Sequence, residues 1–287
     1  MGKIIECSAD ETGIQNTGAK DQCLTAPVVK HTLASDDQEF ATKEAAKDLA
    51  VWKTDIAAKK LFPLFEVEEL AIADTEDTYW EGRNKYKTAT GKKIRTFNLV
   101  LGECSHKAIA SFHGKKMKVY EHTSANELKG VSLDGVKIKG QGVRIEVGKM
   151  IESLDDKPQY TPVTLIYDDY KEYESNPVKL MPTWSPVLLY GIFDVELNQV
   201  SASASSIKFT VDTGCSGDEV HSLEDADVVL KDAAGAAYTH SFVAADANGV
   251  YTLTGTGFAN GFTVSLNGVV KKVEQSYEAV APLAITI

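Results

Sequence analysis

The sequence predicts a mainly β protein: a β-sandwich or barrel carrying one or two helices, followed by a second, separate β-sandwich. Three observations predict it. Short alternating runs at 207–212, 238–244, 250–254, 262–266 and 283–287 are divided by Thr213-Gly214, Ala234-Gly235, Asn248-Gly249, Asn260-Gly261 and Asn267-Gly268. Asn-Gly between strand-like runs is a strong hairpin signal, because both residues tolerate the positive φ of a type I′ turn. Upstream, apolar residues recur at period two in several runs, and only two stretches carry helical spacing.

The elements follow in order. Residues 1–40 show little periodicity and read as an extended arm, leaving 41–195 as the β-rich domain and 196–287 as the second sandwich. Residues 42–60 read as a helix: Thr42 suits an N-cap, Ala45, Leu49, Trp52 and Ile56 share one face, and Pro63 stops it. Trp52 on that stripe is expected in the core. Residues 65–72 alternate apolar with acidic and predict a half-buried strand. Residues 74–90 are polar with Tyr79, Trp80 and Tyr86, and predict a long hairpin or loop, an element that usually has a functional or assembly role. Residues 94–101 form a strand with Arg95, Phe97, Leu99 and Leu101 on one side. A short helix at 105–112 shows Ala108, Ile109 and Phe112 on its apolar face, and Gly114 supplies a left-handed end. Strands are expected at 116–121, twice within 130–147 around Gly140 and Gly142, at 162–167 and at 187–197. The Ser-Ala-Ser-Ala-Ser-Ser run, 201–206, reads as a linker or strand edge.

Charge is uneven. The chain carries a formal −11 with pI about 5.1, which disfavours nucleic-acid binding as the primary role. Residues 66–81 hold seven acids and no base, whereas 83–149 hold fifteen Lys/Arg against five acids. Such runs pair within a subunit, pair between copies, or form solvated surface. The four cysteines, Cys7, Cys23, Cys104 and Cys215, have no zinc spacing and are expected reduced, although Cys7 and Cys23 share one arm. No signal peptide is expected, Glu6 stands where a myristoylation motif wants Ser or Thr, and the apolar run 187–193 is too short to span a bilayer.

Catalytic chemistry is not expected. The six histidines, His31, His106, His113, His122, His221 and His240, have no metal-ligand pairing. Cys104 and His106 at i,i+2 near a helix start point apart. Gly140-Gln141-Gly142 lacks the third glycine of a dinucleotide loop. Asp218, Glu219, Glu224, Asp225 and Asp227 lack the spacing of a calcium loop, and nothing brings Asp155, Asp156, Asp168 and Asp169 into one cleft. The expectation is a non-enzyme without cofactor or metal.

The order of pieces is similar to one family. An acidic stretch, Asp74-Thr75-Glu76-Asp77-Thr78-Tyr79-Trp80, precedes the Gly turn Thr88-Ala89-Thr90-Gly91. A strand then leads to a short helix ending Lys107-Ala108-Ile109-Ala110-Ser111-Phe112, followed by Met117-Lys118-Val119-Tyr120 and the strand pair 130–147. Over about residues 60–168 this resembles the major tail tube proteins of long-tailed bacteriophages, lambda's among them. The match is one of element order rather than a signature motif. Gly249-Val250-Tyr251-Thr252-Leu253-Thr254-Gly255 resembles β-modules of phage and bacterial surface proteins, and the C-terminal sandwich resembles the Ig-like domains such tail proteins carry outside.

The resemblance implies a virion protein made in the host cytoplasm, self-associating into stacked rings that conduct DNA. It implies contact with other virion proteins and passive contact with DNA in the lumen, with no membrane role. Asp74, Glu76, Asp77, Trp80, Tyr86, Lys92 and Lys93 are the candidate subunit contacts. The helix at 42–60 is longer than the family pattern. The basic segment also suits a DNA-conducting lumen poorly, so most of its bases are expected to face neighbours or the exterior. Deleting 1–40 is expected to leave a folded monomer that cannot polymerise, and removing 197–287 to leave assembly intact. Alternative readings are another particle component (head decoration, connector ring or baseplate) or a glycan-binding adhesin module using Tyr238, Tyr251, Phe258 and Tyr277.

Overall fold

The computed structural model describes residues 4–6, 25–81, 83–169, 171–186, 189–272 and 275–287, which form two compact units divided after Leu189. Cys7 and Cys23 lie outside the described residues, as do Val187 and Leu188 of the expected strand 187–197. The fold is mainly β, as the alternating runs predict.

In the first unit the strands are Ile4–Ile5 (β1), Val28–Ala34 (β2), Leu61–Glu66 (β3), Glu68–Ile72 (β4), Thr78–Glu81 (β5), Lys85–Ala89 (β6), Ile94–Val100 (β7), Lys116–Thr123 (β8), Leu128–Val131 (β9), Gln141–Val147 (β10), Tyr160–Tyr167 (β11) and Pro177–Leu180 (β12). The helices are Lys43–Lys47 (α1), Leu49–Ala57 (α2), Glu103–Ala110 (α3) and Glu172–Ser175 (α4). Ten strands join one sheet, β1-β12-β9-β8-β10-β11-β7-β4, with β2 pairing both β8 and β3. The run β3–β4 pairs first with β2 and then with β7. The sheet therefore curls back towards itself and encloses Leu33, Leu64, Phe97, Leu99, Met117, Val119, Val143, Ile145, Val163 and Leu165, with Ile109 of α3 in the same cluster.

β8 is buried on both faces, and this explains the second packed layer. Its odd positions Met117 and Val119 join the barrel interior, while Tyr120 and His122 meet α2. Trp52 is fully buried among Phe40, Tyr120, His122 and Trp184, and its indole N–H donates to Ala46 O at 2.8 Å. Trp52→Ala is expected to lower unfolding free energy by about 3–5 kcal/mol, because the cavity is walled by rigid rings that collapse poorly. Chemical denaturation with an unchanged slope checks it; a loss under about 1 kcal/mol would show that the rings refill the space.

Several sequence expectations change. Residues 28–34 are no part of a peripheral arm: β2 is central, pairs on both edges, and buries His31 through Ala34. A seven-residue run with Lys30 and His31 in its middle hides its role because it is covered on both faces and does not alternate. Deleting 1–40 would remove a core strand, so the expected folded monomer is withdrawn. The helix at 42–60 is two helices. Thr42 caps α1 as expected, accepting from Ala45 N at 3.2 Å, but Asp48 leaves the helical region and caps α2 instead. It ends at Ala58, where Lys59 turns left-handed, and Pro63 belongs to β3. The run 65–72 breaks at Val67, and a left-handed Glu69 shifts its register with β7. Its side chains are exposed rather than half-buried, Ile72 by 71%.

The second unit contains Ile192–Ser203 (β13), Ser206–Thr213 (β14), Val228–Lys231 (β15), Ser241–Val243 (β16), Tyr251–Thr254 (β17), Thr263–Leu266 (β18), Val269–Lys271 (β19), Ser276–Ala279 (β20) and Leu283–Ala284 (β21). A six-stranded sheet, β16-β17-β14-β13-β20-β19, and a three-stranded sheet, β15-β18-β21, share one core built on Ile207, Phe209, Tyr251, Leu253, Val264 and Leu266. The division falls before β13, so that strand belongs here and not to the first unit. The serine run is the end of β13 and the tight turn into β14, with Ser203 Oγ accepting from Ser206 N at 3.1 Å.

The Asn-Gly pairs mark turns, but not type I′ turns. Gly249, Gly261 and Gly268 have positive φ, whereas Asn248, Asn260 and Asn267 do not. Asp246 organises the first turn instead, its Oδ1 accepting from Asn248 N and Val250 N. Asn267-Gly268 carries the chain from one sheet to the other rather than closing a hairpin. Tyr251 and Phe258 are core residues, Tyr277 is 8% exposed, and Tyr238 packs on Phe258 and Phe262. These four aromatics therefore do not make an exposed binding face.

Candidate assembly surface

The stretch expected at 74–90 as a hairpin or loop contains a hairpin, β5 paired with β6. Among the described residues β5 and β6 pair only with each other, and every residue of both strands is exposed. Register sets two faces. Trp80 opposes Tyr86, their rings stacked at 5.9 Å, beside a Thr78–Thr88 hydroxyl pair. The other face carries Tyr79, Glu81, Lys85 and Lys87, with Lys85 Nζ 3.3 Å from Glu81 and 4.9 Å from the Tyr79 ring centroid. Trp80 is 60% exposed, Tyr86 54% and Tyr79 46%. An isolated two-stranded hairpin is marginal in water, so something must fix its stem.

The stem is fixed by the acidic stretch. Asp74 Oδ1 accepts from Ile94 N at 2.7 Å and from the Arg95 guanidinium at 2.5 Å. Its slight burial opposes ionisation, but these donors hold the carboxyl below its ordinary range. Asp77 accepts from Gly91 N at 2.6 Å and meets Lys87 Nζ at 2.6 Å, and the Lys87 bond followed by the Gly91 N–H draws its pKa down. Thr75 and Lys92 pair through their backbones, and Thr75 Oγ1 accepts from Lys92 N. Gly91 has to be glycine: a Cβ there would collide with the Thr75 carbonyl oxygen and press on Glu76.

Of the residues singled out by sequence, Trp80, Tyr86, Glu76 and Lys92 are exposed at the hairpin or its stem. Asp74 and Asp77 act locally, as the clamps that hold the stem. The acidic and basic runs thus meet within one subunit at Asp74–Arg95, Asp77–Lys87 and Glu81–Lys85.

Lys93 is placed elsewhere. Its side chain, 16% exposed, enters the end of the barrel, where Nζ lies 3.7 Å from Glu121 and 3.9 Å from the Tyr167 ring centroid. Burial lowers its pKa, partly countered by Glu121. Lys129 Nζ meets Glu121 Oε2 at 2.5 Å, and the Tyr167 hydroxyl donates to Oε1 at 2.5 Å. Burial would raise the Glu121 carboxyl, but Lys129 and Lys93 outweigh it and hold it well below the carboxylate range. His31 stacks on Phe97 at 4.7 Å in the same layer. Sequence reasoning missed this cluster. No local signal marked it: His31 and Glu121 lie on stretches buried without alternation, and Lys93 precedes β7.

Burial depresses His31 to about 4 and His122 to about 3, with nearby charges modifying both. Unfolded histidines bind protons from pH 6.5 downward while the folded ones do not, so stability is present above 6.5 and falls as pH drops toward 4. The His31 contribution alone amounts to about 3 kcal/mol. Glu121 acts in the same direction, but only below about 4.5. Melting midpoints measured from pH 7 to 4.5 should therefore decline, and less steeply in His31→Phe, which keeps a ring on Phe97. Parallel slopes in the two proteins would exclude His31 as a source.

Among the described residues, no group of three or more His, Cys, Asp or Glu is arranged to hold a metal. An open cleft of about 460 Å³ is lined by Ile4, Ile5, Glu6, Thr42, Lys43, Glu44, Gly135 and Val136. Cys104 and Cys215 are exposed. No helix among the described residues is long and apolar enough to cross a membrane. Comparison with protein-family models and with curated proteins returned no match.

Proposed function

We propose that this chain is a structural virion protein, a subunit of a phage tail tube built from stacked rings, with its C-terminal sandwich as outward decoration. The observation that carries the reading is the hairpin of residues 74–92: a rigidly stemmed projection whose three aromatic rings are solvated in the monomer. A projection of this kind serves heterologous contacts between identical subunits, which close into rings and stack. Exposed apolar residues on β3 and β4, namely Phe65, Leu70 and Ile72, extend the apolar surface of the same unit. The intrachain pairing of Lys87 and Lys93 supports a lumen from which these two bases are withdrawn.

Negative-stain electron microscopy of the purified chain over a concentration series tests this. Tubes or stacked rings are expected. A monomer at every concentration would overturn the tube reading and favour a decoration protein that needs a particle to bind. A single unstacked ring would point to a connector.

A further inference from the structure

The polar layer at the end of the barrel holds more hydrogen-bond donors than acceptors. Both oxygens of Glu121 are used, Oε1 by the Tyr167 hydroxyl and the nearby Lys93, Oε2 by Lys129. Gln141 Oε1 accepts from Lys93 Nζ at 3.1 Å. Among the described residues, two buried nitrogens of this layer have no partner: the amide Nε2 of Gln141 and Nδ1 of His31, on residues 2% and 1% exposed. Gln141 Nε2 is donor-only, and His31 Nδ1 donates in the tautomer that carries its proton there.

Charge is unbalanced in the same direction. Lys93 and Lys129 share the single carboxylate of Glu121, while the adjoining Arg95 and Lys139 have their own partners in Asp74 and Glu172. Tyr173 of α4 covers the layer, its ring 5.0 Å from Lys129 Nζ and 5.8 Å from Lys93 Nζ. One surplus positive charge is therefore enclosed, and an enclosed uncompensated charge is strongly unfavourable. A water molecule would satisfy the amide nitrogen but bring no negative charge to a layer in which two ammonium groups share one carboxylate. A guest that only accepts, and carries one negative charge, meets both requirements.

We propose that this end of the barrel binds a small monovalent anion of the halide class, coordinated by Gln141 Nε2, His31 Nδ1 and the ammonium groups of Lys93 and Lys129. Gln141 and His31 are 2% and 1% exposed and the two lysine side chains 16% and 13%, a degree of burial that favours a small ion over sulfate or an organic anion. The site is independent of the hairpin and of the assembly reading.

The test is thermal unfolding of the full chain at constant ionic strength, in sodium chloride or bromide against sodium gluconate. Chloride and bromide should raise the midpoint saturably by about 2–4 °C, as a ligand specific to the folded state does. In Gln141→Leu, which removes a donor that has no protein partner, that rise should be at least halved. Chloride-35 NMR gives a second readout that does not depend on a variant: the native chain should broaden the line and the unfolded chain should not. Superimposed melts in chloride and gluconate, an undiminished rise in Gln141→Leu, or an unbroadened chloride line would each overturn the proposal and leave ordered water as the occupant.

Discussion

Trp80→Ser combined with Tyr86→Ser is expected to abolish tube or ring formation at concentrations where the parent assembles, while the monomer melts as before. Both side chains are more than half exposed and lie on a hairpin that pairs with no other strand, so the folded monomer owes them little. Surface substitutions of this kind change stability by about 0.5 kcal/mol or less. An interface behaves otherwise. Truncating a central aromatic anchor typically costs about 2 kcal/mol or more, which raises the concentration needed for association by about thirtyfold per contact. Every subunit in a ring repeats the contact, so the loss compounds. Sedimentation across concentration, with unfolding of the same samples, separates the two effects. Assembly at the parent's concentration would remove the aromatic face from the subunit contact. A destabilised monomer would show instead that the rings hold the hairpin together.

Glu121→Gln is expected to produce a large destabilisation from the loss of one charge. The substitution keeps an acceptor for the Tyr167 hydroxyl but leaves two ammonium groups, 16% and 13% exposed, with no counter-charge. Removing one partner of a buried ion pair costs about 3–5 kcal/mol. The pH dependence identifies the cause. With Glu121 neutral, burial holds the folded-state pKa of Lys93 further below the unfolded value of about 10.5, the ordinary lysine figure. The unfolded chain then binds more protons than the folded one in that interval. Stability of the variant should rise as pH climbs towards 10.5, narrowing the gap to the parent. A gap that stays constant from pH 7 to 10 would refute the electrostatic account and point to altered packing around Tyr167. Adding Lys93→Met and Lys129→Met to Glu121→Leu should restore most of the loss, since apolar replacement of a complete buried set is often neutral or better.

Much of the architecture was legible in the sequence because local rules and tertiary context agree there. The strand at 94–100, the short helix before Gly114, the core position of Trp52, the hairpin at 74–92 and the C-terminal sandwich each rest on a periodicity or a turn residue that packing then uses. The misreadings share a cause. Alternation reports a strand with one wet face, so β2 and the second half of β8, covered on both sides, gave no alternation to read. The run 65–72 alternates only as far as Glu68, and the strand at 68–72 is exposed on both faces, with its register shifted around a left-handed Glu69. Asn-Gly located turns without fixing their type, because Asp246 could organise one of them from outside the pair.

The sequence by itself determined that the chain is mainly β in two parts and that residues 74–90, with their aromatics, would form a hairpin or loop. These follow from neighbours in sequence: period, turn chemistry, and a run of Tyr, Trp and Tyr among polar residues. Only the tertiary structure decided that Lys93 leaves the exposed set, and that His31, Glu121, Lys129, Gln141 and Tyr167 meet in one layer. Those residues lie on five strands or their ends, far apart in the chain. Whether a charge is solvated, paired or enclosed depends on which strands the barrel sets side by side, and no local pattern encodes that.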